Sequence, residues 1–309
     1  TLIKTFLNKN LDGYLKHISG PNFSDKFCSR ISPHLTHGTI SIKEIYKIID
    51  EFKKKYELKG INYNKRGLSA FRSRLSWRCH FIQKLEDQPS IEYKCMHPAY
   101  EGMRSEMNNE KFFQAWKYGK TGFPFIDACM RSLIHNGWIT FRMRAMLISF
   151  ASYDLWIDWR KTGYVLAKLF TDYEPGIHYP QLQMQSGVTG INTLRIYNPI
   201  KQSMENDKEG IFIKIWVPEL KYIPSSFIHE PWKMNIETQM NYKCILGKDY
   251  PLPIVDHKKA IQLARNKIAE IRKDSNYKNK SNLVFEKHGS RRRNTKVKNK
   301  KIQKQLLLF

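Results

Sequence analysis

Four short motifs that mark many nucleotide-binding and hydrolytic sites are absent from the sequence. It contains no GxGxxG, no GxxxxGK[ST] phosphate-binding loop, no HExxH and no GxSxG. Strict alternation of polar and apolar residues is rare, and no β-α-β pattern occurs. Any chemistry of this chain must therefore come from another arrangement of residues, on a fold that is not built around a parallel sheet.

Cysteine and long apolar runs are also scarce. The five cysteines are scattered and no CxxC occurs, which favours reduced thiols over a metal or iron–sulfur site. No run approaches the length of a transmembrane helix, and no basic and apolar leader is visible after Thr1. We therefore expect a cytoplasmic protein with no bound metal and no membrane segment. The sequence leaves the oligomeric state open.

Positive charge, in contrast, is abundant. Among the 309 residues, 53 are Lys or Arg and 28 are Asp or Glu, which gives a net charge of +25. Residues 275–309 hold eleven basic residues and one acid, so most of the excess lies on the body of the chain. A field of this size favours a polyanion such as nucleic acid. Lysine enrichment from a biased genome is the alternative explanation.

Signals for helix ends recur along the chain. Ser41 and Glu44 form a capping-box pattern, Gly137 follows an amphipathic run as a stop signal, and Asp256 precedes another as an N-cap. From about residue 275 the sequence is polar, basic and mostly unable to build a core. The predicted organisation is an all-α domain at residues 1–273 followed by a basic tail at residues 274–309.

Seven stretches between residues 10 and 265 form one collinear set. They are CSRISPHLTHGTIS (28–41), AWKYGKTGFPFIDACMRSLIHNGW (115–138), LWIDWR (155–160), RIYNPIKQ (195–202), IKIWVPELKYIP (213–224), IHEPWK (228–233) and YPLPIVDHKKA (250–260). Together they resemble the helical flavin-binding domain of the photolyase/cryptochrome family. The N-terminal α/β antenna domain of full-length members has no counterpart here, so the chain is either a short form or a fragment.

The resemblance implies that the domain binds FAD non-covalently, in a U shape. Ser29 and Ser32 lie at a loop-to-helix junction, where hydroxyls and free N–H groups suit a pyrophosphate. The alternative is that Ser32 and Pro33 only begin a helix. Tyr14 is placed to add a further hydroxyl. The implied set of cofactor-binding residues is Tyr14, Ser29, Arg30, Ser32, Arg78, Arg144, Asp172, Glu174 and His178.

An arginine–carboxylate pair is expected beside the flavin. Arg144 is surrounded by apolar residues, and a buried guanidinium needs a carboxylate. The family pattern pairs an Arg here with an acid after LWIDWR, which makes Asp172 the expected partner. Arg78 matches a second arginine on the flavin side. Ordinary surface ion pairs are the alternative for both arginines.

The stretch TDYEPGIHYPQLQMQSG (171–187) carries three glutamines at alternate positions. In the family this segment forms the floor of the isoalloxazine pocket, and a wall of amides and apolar side chains suits a ring with one polar edge. His178 falls near the position that faces flavin N5, with Ile177 as the competitor. If it faces N5, its titration near neutral pH would gate flavin protonation. A helix-cap histidine is the alternative.

The sequence also departs from the family pattern. TFR replaces the usual HNR after the tryptophan at 138, so that Phe141 stands where an Asn normally contacts the flavin. Of the three-tryptophan electron relay only Trp159 remains: the proximal member falls at Gln181 or Leu182 and the surface member near Glu106. Light-driven reduction through the standard relay is therefore expected to be broken. Candidate substitutes are Trp138, Trp156 and tyrosines.

The resemblance further implies a pocket for an extruded nucleotide. Trp77 is retained and is able to stack on a flipped pyrimidine, whereas the acid expected three residues before it is Arg74. The predicted nucleic-acid-binding residues are Arg72, Arg74, Trp77, Arg142 and Arg195. The residues expected to act in catalysis are Trp77, Arg142 and His178.

The last five residues, Gln305 to Phe309, read QLLLF. They resemble the short peptide by which bacterial proteins dock on the replication sliding clamp, with Leu and Phe as apolar anchors. A tail that folds back on the body, or chance, is the alternative.

Three functions follow from these observations. The leading one is FAD-dependent, light-driven splitting of pyrimidine dimers in DNA, with single strands preferred because little surface is available to bend a duplex. The others are a non-catalytic cryptochrome-like flavin photoreceptor and a nucleic-acid-binding protein that retains only the fold. Trp77, Arg142 and Arg195 favour the first, while Arg74 and Phe141 favour the other two.

Overall fold

A computed structural model describes residues 2–105 and 109–289 of the chain. Within these ranges the secondary structure is helical, and the β-type pairing is a single bridge between Leu246 and Tyr250. The all-α prediction is thus confirmed. No helix in the described part of the chain is both long and apolar enough to cross a membrane.

Sixteen α-helices occur in the described ranges. They are α1 Leu2–Thr5, α2 Leu11–His17, α3 Ser24–Phe27, α4 Ser32–Thr36, α5 Ile42–Leu58, α6 Lys65–Asp87, α7 Glu110–Lys117, α8 Pro124–Asn136, α9 Phe141–Ser149, α10 Trp159–Leu169, α11 Pro175–Ser186, α12 Pro199–Asn206, α13 Ile211–Trp216, α14 Ile236–Asn241, α15 His257–Ile271 and α16 Tyr277–His288. Two π-helical turns, Phe6–Asn10 and Phe150–Asp154, extend α1 and α9.

The expected helix ends are present. The Ser41 side chain accepts from the Glu44 N–H at 3.1 Å, and the Glu44 carboxylate accepts from the Ser41 N–H at 2.7 Å, which completes the capping box. Gly137 ends α8 at φ +66°, a left-handed conformation that suits glycine. The Asp256 carboxylate caps α15 by accepting from the Lys259 N–H at 3.1 Å.

Two large hydrophobic cores, beside a small cluster of Ile91, Met96 and Val284, hold the helices together. The smaller core joins α1, α2, α5 and α6 through side chains such as Phe6, Ile49 and Phe71. The larger core is built around α8 and α9, which contribute Met130 and Met146, both fully buried. The burial of these apolar faces is the main favourable free-energy term for the fold.

Helix α11 lies at the meeting point of several elements. It packs against α6 from the smaller core and against α9 and α10 from the larger one. Gly176 makes the close approach to α6 feasible, because a Cβ at this position would lie 2.7 Å from the Cα atom of Ile82. The half-polar segment is therefore placed between the two cores.

Part of the segment that we expected to be a tail folds on the body. Residues 277–288 form α16, and the Tyr277 and Tyr100 hydroxyls lie 2.8 Å apart. The His97 imidazole contacts the Ser281 hydroxyl at 3.1 Å, and Val284 is buried. Residues 277–288 of this mostly polar segment thus pack on the body, because a few apolar side chains at helical spacing suffice for docking. The 273/274 domain boundary stays a prediction.

Candidate functional site

A cavity of about 320 Å³ lies between the two cores. Its walls come from α2, the loop before α4, α6, α9 and α11. Apolar side chains of both cores, such as Phe71 and Ile148, line it together with charged and polar groups. All nine residues of the predicted cofactor set are among the lining residues: Tyr14, Ser29, Arg30, Ser32, Arg78, Arg144, Asp172, Glu174 and His178.

Arg144 on α9 and Asp172, just before α11, form a two-bond ion pair in the cavity wall. The Arg144 Nη1 and Nη2 atoms donate to the two carboxylate oxygens of Asp172 at 2.9 and 3.0 Å. The Arg144 Nε atom donates to the Ile139 carbonyl at 2.9 Å, and the guanidinium lies 4.1 Å above the Phe170 ring centroid. The guanidinium plane is thereby fixed on three sides.

The Asp172 carboxylate is charged at neutral pH. Burial raises its pKa, but the charge of Arg144 and the hydrogen bonds from Arg144 and Ser32 outweigh burial and leave the pKa below its ordinary value. The pair thus presents a fixed dipole to the cavity.

A second ion pair closes the cavity where α6 meets the start of α11. The Arg78 Nη2 atom donates to the Glu174 carboxylate at 2.9 Å and approaches the Leu35 carbonyl at 3.5 Å. Both side chains are partly exposed, at 15% and 21%. The contact links α4, α6 and the segment before α11, which are three walls of the cavity. Arg78 and Glu174 therefore help to fix the distances between these three elements.

The loop before α4 is held by an aromatic side chain that the sequence reasoning did not assign to the cofactor. The Trp138 indole N–H donates to the Ser32 hydroxyl at 3.3 Å, and the Arg30 guanidinium lies 4.0 Å from the Trp138 ring centroid. Arg30 has φ +53°, which is strained for a residue with a Cβ. Trp138 lines the cavity itself. Its place directly after the stop residue Gly137 is the signal that points to it.

His178 lies on the cavity wall as a neutral imidazole. Its Nε2–H donates to the Gly163 carbonyl at 2.9 Å. Burial lowers its pKa to about 4, helped by the charge of Arg144 and opposed by the hydrogen bond to Gly163 and the charge of Asp172. The expectation that His178 titrates near neutral pH is therefore wrong, because the ring is desolvated. Its contact with flavin N5 stays a prediction, as does that of Ile177, which also lines the cavity.

The three alternate glutamines do not share one role. Gln181 and Gln185, four residues apart on α11, both line the cavity. Gln183 lies on another face, where its amide accepts from the Met96 N–H at 2.6 Å and donates to the Ile91 and Lys94 carbonyls at 2.8 Å. The prediction of a glutamine wall thus holds for two of the three residues.

The donors and acceptors of the cavity fit FAD. The Gln185 Oε1 atom is buried and has no hydrogen-bond partner within the described residues, so it remains for a donor inside the cavity. The ion pair of Arg144 and Asp172 suits the polar edge of a flavin, and the apolar side chains of Ile148 and Phe170 suit its hydrocarbon part.

Two aromatic side chains stand at the outer part of the site. Trp77 on α6 is 51% exposed, and the Arg74 guanidinium lies 4.8 Å from its ring centroid. Phe141, at the start of α9, is 48% exposed and lines the cavity, as Arg74 does. Trp77 itself does not line the cavity, whereas its neighbour Arg74 does.

The remaining predicted residues are more dispersed. Arg72, Arg142 and Arg195 are exposed and do not line the cavity. Trp159 is buried in the larger core, next to Tyr179, with ring centroids 6.4 Å apart. The relay position near Glu106 and the terminal peptide Gln305–Phe309 lie outside the described residues. Within the described ranges, no group of three His, Cys, Asp or Glu side chains is arranged to hold a metal ion.

Comparisons with known proteins agree with a flavin site. The family model for the FAD-binding domain of DNA photolyase matches residues 71–270. A deoxyribodipyrimidine photo-lyase of Alkalihalophilus pseudofirmus is 33% identical over 259 residues, which cover 83% of this chain and 52% of that protein. A bacterial class III photolyase from Agrobacterium tumefaciens has a TM-score of 0.79 at 31% identity, over 88% of this chain and 55% of that one. A Synechocystis cryptochrome has a TM-score of 0.78 at 25% identity, over 86% and 54%.

The fold and the cavity define an FAD-binding helical domain, and FAD is the cofactor of this flavoprotein. The chain belongs to the photolyase/cryptochrome family. It spans about half the length of the relatives that it matches.

Proposed function

We propose that this protein is an FAD-dependent, light-driven DNA repair enzyme that splits pyrimidine dimers. The observation that carries the proposal is the position of Trp77. Its half-exposed ring lies on the helix that also forms the cavity wall through Arg74 and Arg78. A base stacked on Trp77 would lie on the same helix as two residues of the cavity wall, Arg74 and Arg78. The relatives named as deoxyribodipyrimidine photo-lyases support the same reaction.

Bound FAD would be held by the cavity residues Arg78, Arg144 and Asp172 and would supply the light-driven one-electron chemistry that splitting of a pyrimidine dimer needs. The protein orients and desolvates the reacting groups. The Arg144–Asp172 pair would hold the polar edge of the ring, where the charge of Arg144 would favour negative charge. His178, neutral at pH 7, adds no competing positive charge.

The basic residues are proposed to position the nucleic acid. Arg72, Arg142 and Arg195 are exposed, and their guanidinium groups would meet phosphates flanking an extruded nucleotide. The net charge of +25 supplies the long-range attraction. We further propose a preference for single strands, since stacking on Trp77 and contacts to one backbone suffice for binding without bending a duplex.

A cryptochrome-like photoreceptor is the second candidate, and one contact favours it. The Arg74 guanidinium lies 4.8 Å from the Trp77 ring centroid and so covers one face of the ring. A base that stacks on this face must displace the cation. If Arg74 stays over Trp77 when nucleic acid binds, the site binds FAD and nucleic acid without repair.

Illumination of the chemically reduced, FAD-loaded protein with ultraviolet-damaged oligothymidine tests the proposal. The recovery of thymine absorbance is measured on single-stranded and on duplex substrate, with a dark sample and Trp77→Ala as controls. We expect recovery in the light, faster on the single strand, and a loss of about tenfold or more in Trp77→Ala. FAD binding without recovery on either substrate would contradict repair and favour the photoreceptor.

We also propose that Gln305–Phe309 docks on a bacterial sliding clamp. The support is the sequence QLLLF after a basic segment, which would act as a tether and raise the local concentration of the body near DNA. The full chain and its Phe309→Ala variant are to be compared for binding to a bacterial clamp. Equal binding of both would contradict the proposal.

A further inference from the structure

Four tryptophans, those beside the cavity and those considered for the electron relay, each have an arginine side chain over the ring, which disfavours electron donation. Each lies beneath a guanidinium, with the following distances from the Cζ atom to the ring centroid: Arg74 over Trp77 at 4.8 Å, Arg30 over Trp138 at 4.0 Å, Arg104 over Trp156 at 4.7 Å, and Arg160 over Trp159 at 4.6 Å. A positive charge at this distance destabilises a second positive charge on the ring. The tryptophan radical cation that electron loss produces is therefore disfavoured at Trp77, Trp138 and Trp156. At Trp159 the carboxylates of Asp158 and Glu101, which pair with Arg160, offset part of this effect.

A pair of tyrosines beside the cavity lacks this feature. Tyr173 lines the cavity, and its hydroxyl donates to the Tyr179 hydroxyl at 3.2 Å. In the described part of the chain neither ring has a cation over it. Tyr173 also contacts His178, with ring centroids 5.1 Å apart. A tyrosine that loses an electron together with its proton becomes a neutral radical, which nearby cations do not disfavour.

An acceptor for the proton lies at the end of this pair. Helix α11, which carries Tyr179, packs against the 3₁₀ turn Pro89–Glu92, so that the Glu92 carboxylate lies on an element adjoining this helix. Burial, the hydrogen bond with Tyr173 and the charge of Glu92 raise the pKa of the Tyr179 phenol. Glu92 is exposed and lines a second cavity, of about 250 Å³. The hydroxyls thus lead from the flavin cavity to a carboxylate in contact with solvent.

We infer that Tyr173, Tyr179 and Glu92 form a relay for photoreduction of the bound flavin, in place of the missing tryptophans. Tyr173 gives one electron to the photoexcited, oxidised flavin. Its hydroxyl proton passes to the Tyr179 oxygen, and the Tyr179 proton passes to the Glu92 carboxylate. This leaves a neutral radical on Tyr173 and a protonated Glu92. A thiol in solution then supplies the electron that refills the radical, and Glu92 returns the proton.

The inference concerns how the flavin is reduced, while the proposed repair needs a flavin that is already reduced. The two are therefore separable. Protein reduced chemically in the dark bypasses the relay, so repair by Tyr179→Phe after chemical reduction is expected to equal that of the wild type. A relay variant that loses photoreduction but keeps repair after chemical reduction supports the relay. A chemically reduced wild type that does not repair contradicts the proposed function and leaves the relay unaffected.

The decisive experiment illuminates oxidised, FAD-loaded protein with a thiol present. It follows flavin bleaching, transient absorption and the electron paramagnetic resonance signal of trapped radicals. The variants are Tyr173→Phe, Tyr179→Phe and Glu92→Gln. Tyr164→Phe, an exposed tyrosine on α10, is the matched control. We expect a neutral tyrosyl radical in the wild type and in the control, no such signal in Tyr173→Phe, and photoreduction about tenfold slower or more.

Two variants keep the test valid if Tyr173→Phe fails to take up FAD. Tyr179 and Glu92 do not line the flavin cavity, so their substitution leaves its walls unchanged. Tyr179→Phe is expected to slow photoreduction, and Glu92→Gln to shorten the lifetime of the tyrosyl radical by removing the proton acceptor. Wild-type bleaching and radical lifetimes in both variants would overturn the relay. A tryptophan radical that disappears in Trp159→Phe would overturn it as well.

Discussion

Arg144 and Asp172 hold each other through two parallel hydrogen bonds of 2.9 and 3.0 Å, one residue from α9 and the other from the segment before α11. The Asp172 side chain is 6% exposed and that of Arg144 is 20% exposed. The pair is thus a cross-link between two helical segments as well as a charged part of the cavity wall. Both roles depend on the carboxylate charge.

Asp172→Asn is expected to remove that charge and keep the shape of the side chain. Arg144 then stays largely buried without an anionic partner, and the free energy of unfolding should fall by about 2–4 kcal/mol. FAD affinity should fall with it. Glu205→Gln is the matched control, since it breaks the exposed pair of Lys201 and Glu205 and should cost about 0.5 kcal/mol or less. Denaturant unfolding that shows the same loss in both variants would contradict the assignment.

The lowered pKa of His178 predicts that the stability of the folded chain depends on pH. Its pKa is about 4 in the folded chain, against an ordinary value of 6.5. Below pH 6.5 the unfolded chain binds a proton that the folded chain refuses, so the free energy of unfolding falls as the pH drops from 6.5 to 4. Relative to His178→Gln, the wild type should lose about 3 kcal/mol across this window. Parallel stability–pH curves of the two FAD-free proteins would show that His178 is not buried as described.

The close packing of Gly176 against α6 predicts that a side chain at this position would disturb the site. A Cβ at this position would lie 2.7 Å from the Ile82 Cα atom, so that Gly176→Ala must push α11 away from α6. We expect a loss of about 1–3 kcal/mol in stability and weaker retention of FAD. Gly20→Ala is the matched control, because its Cβ would meet the nearest atom at 3.6 Å, an ordinary contact. Unchanged FAD release in Gly176→Ala would argue against the packing of α11 on α6.

The proposed contact of Arg142 with a phosphate predicts that substitution of Arg142 changes the salt dependence of DNA binding. If its exposed guanidinium contacts a phosphate, Arg142→Gln should reduce the slope of log K against log salt by about 0.7–0.9. The measurement is a fluorescence titration of labelled oligonucleotide at several salt concentrations. Arg265→Gln, an exposed arginine on α15, serves as the control, since that helix carries none of the predicted residues. Equal slopes in the wild type and Arg142→Gln would remove Arg142 from the interface.

Much of the site could be predicted because its residues are tied to sequence patterns. Arg144 in an apolar helix requires a carboxylate, and Asp172 was the expected partner; the structure joins them. Helix signals such as Ser41 with Glu44 depend only on local geometry, so they are visible in the sequence.

Side-chain direction and long-range docking were harder to predict. Alternate spacing suggested that Gln181, Gln183 and Gln185 form one wall, but on a helix only residues three or four apart share a face, and Gln183 serves the loop at residues 91–96 instead. The neutral state of His178 depends on burial by distant segments, which no local pattern reveals. The docking of α16 depends on a hydroxyl contact between Tyr277 and Tyr100, 177 positions apart in the chain.

A crystal structure of the protein with bound FAD tests the flavin site most directly. We expect density for the isoalloxazine ring in the cavity between α6, α9 and α11, within hydrogen-bond distance of the Arg144–Asp172 pair and with the Gln185 Oε1 atom facing the cofactor. FAD bound elsewhere on the chain, or a cavity that stays free of cofactor at saturating FAD, would contradict the assignment of this site.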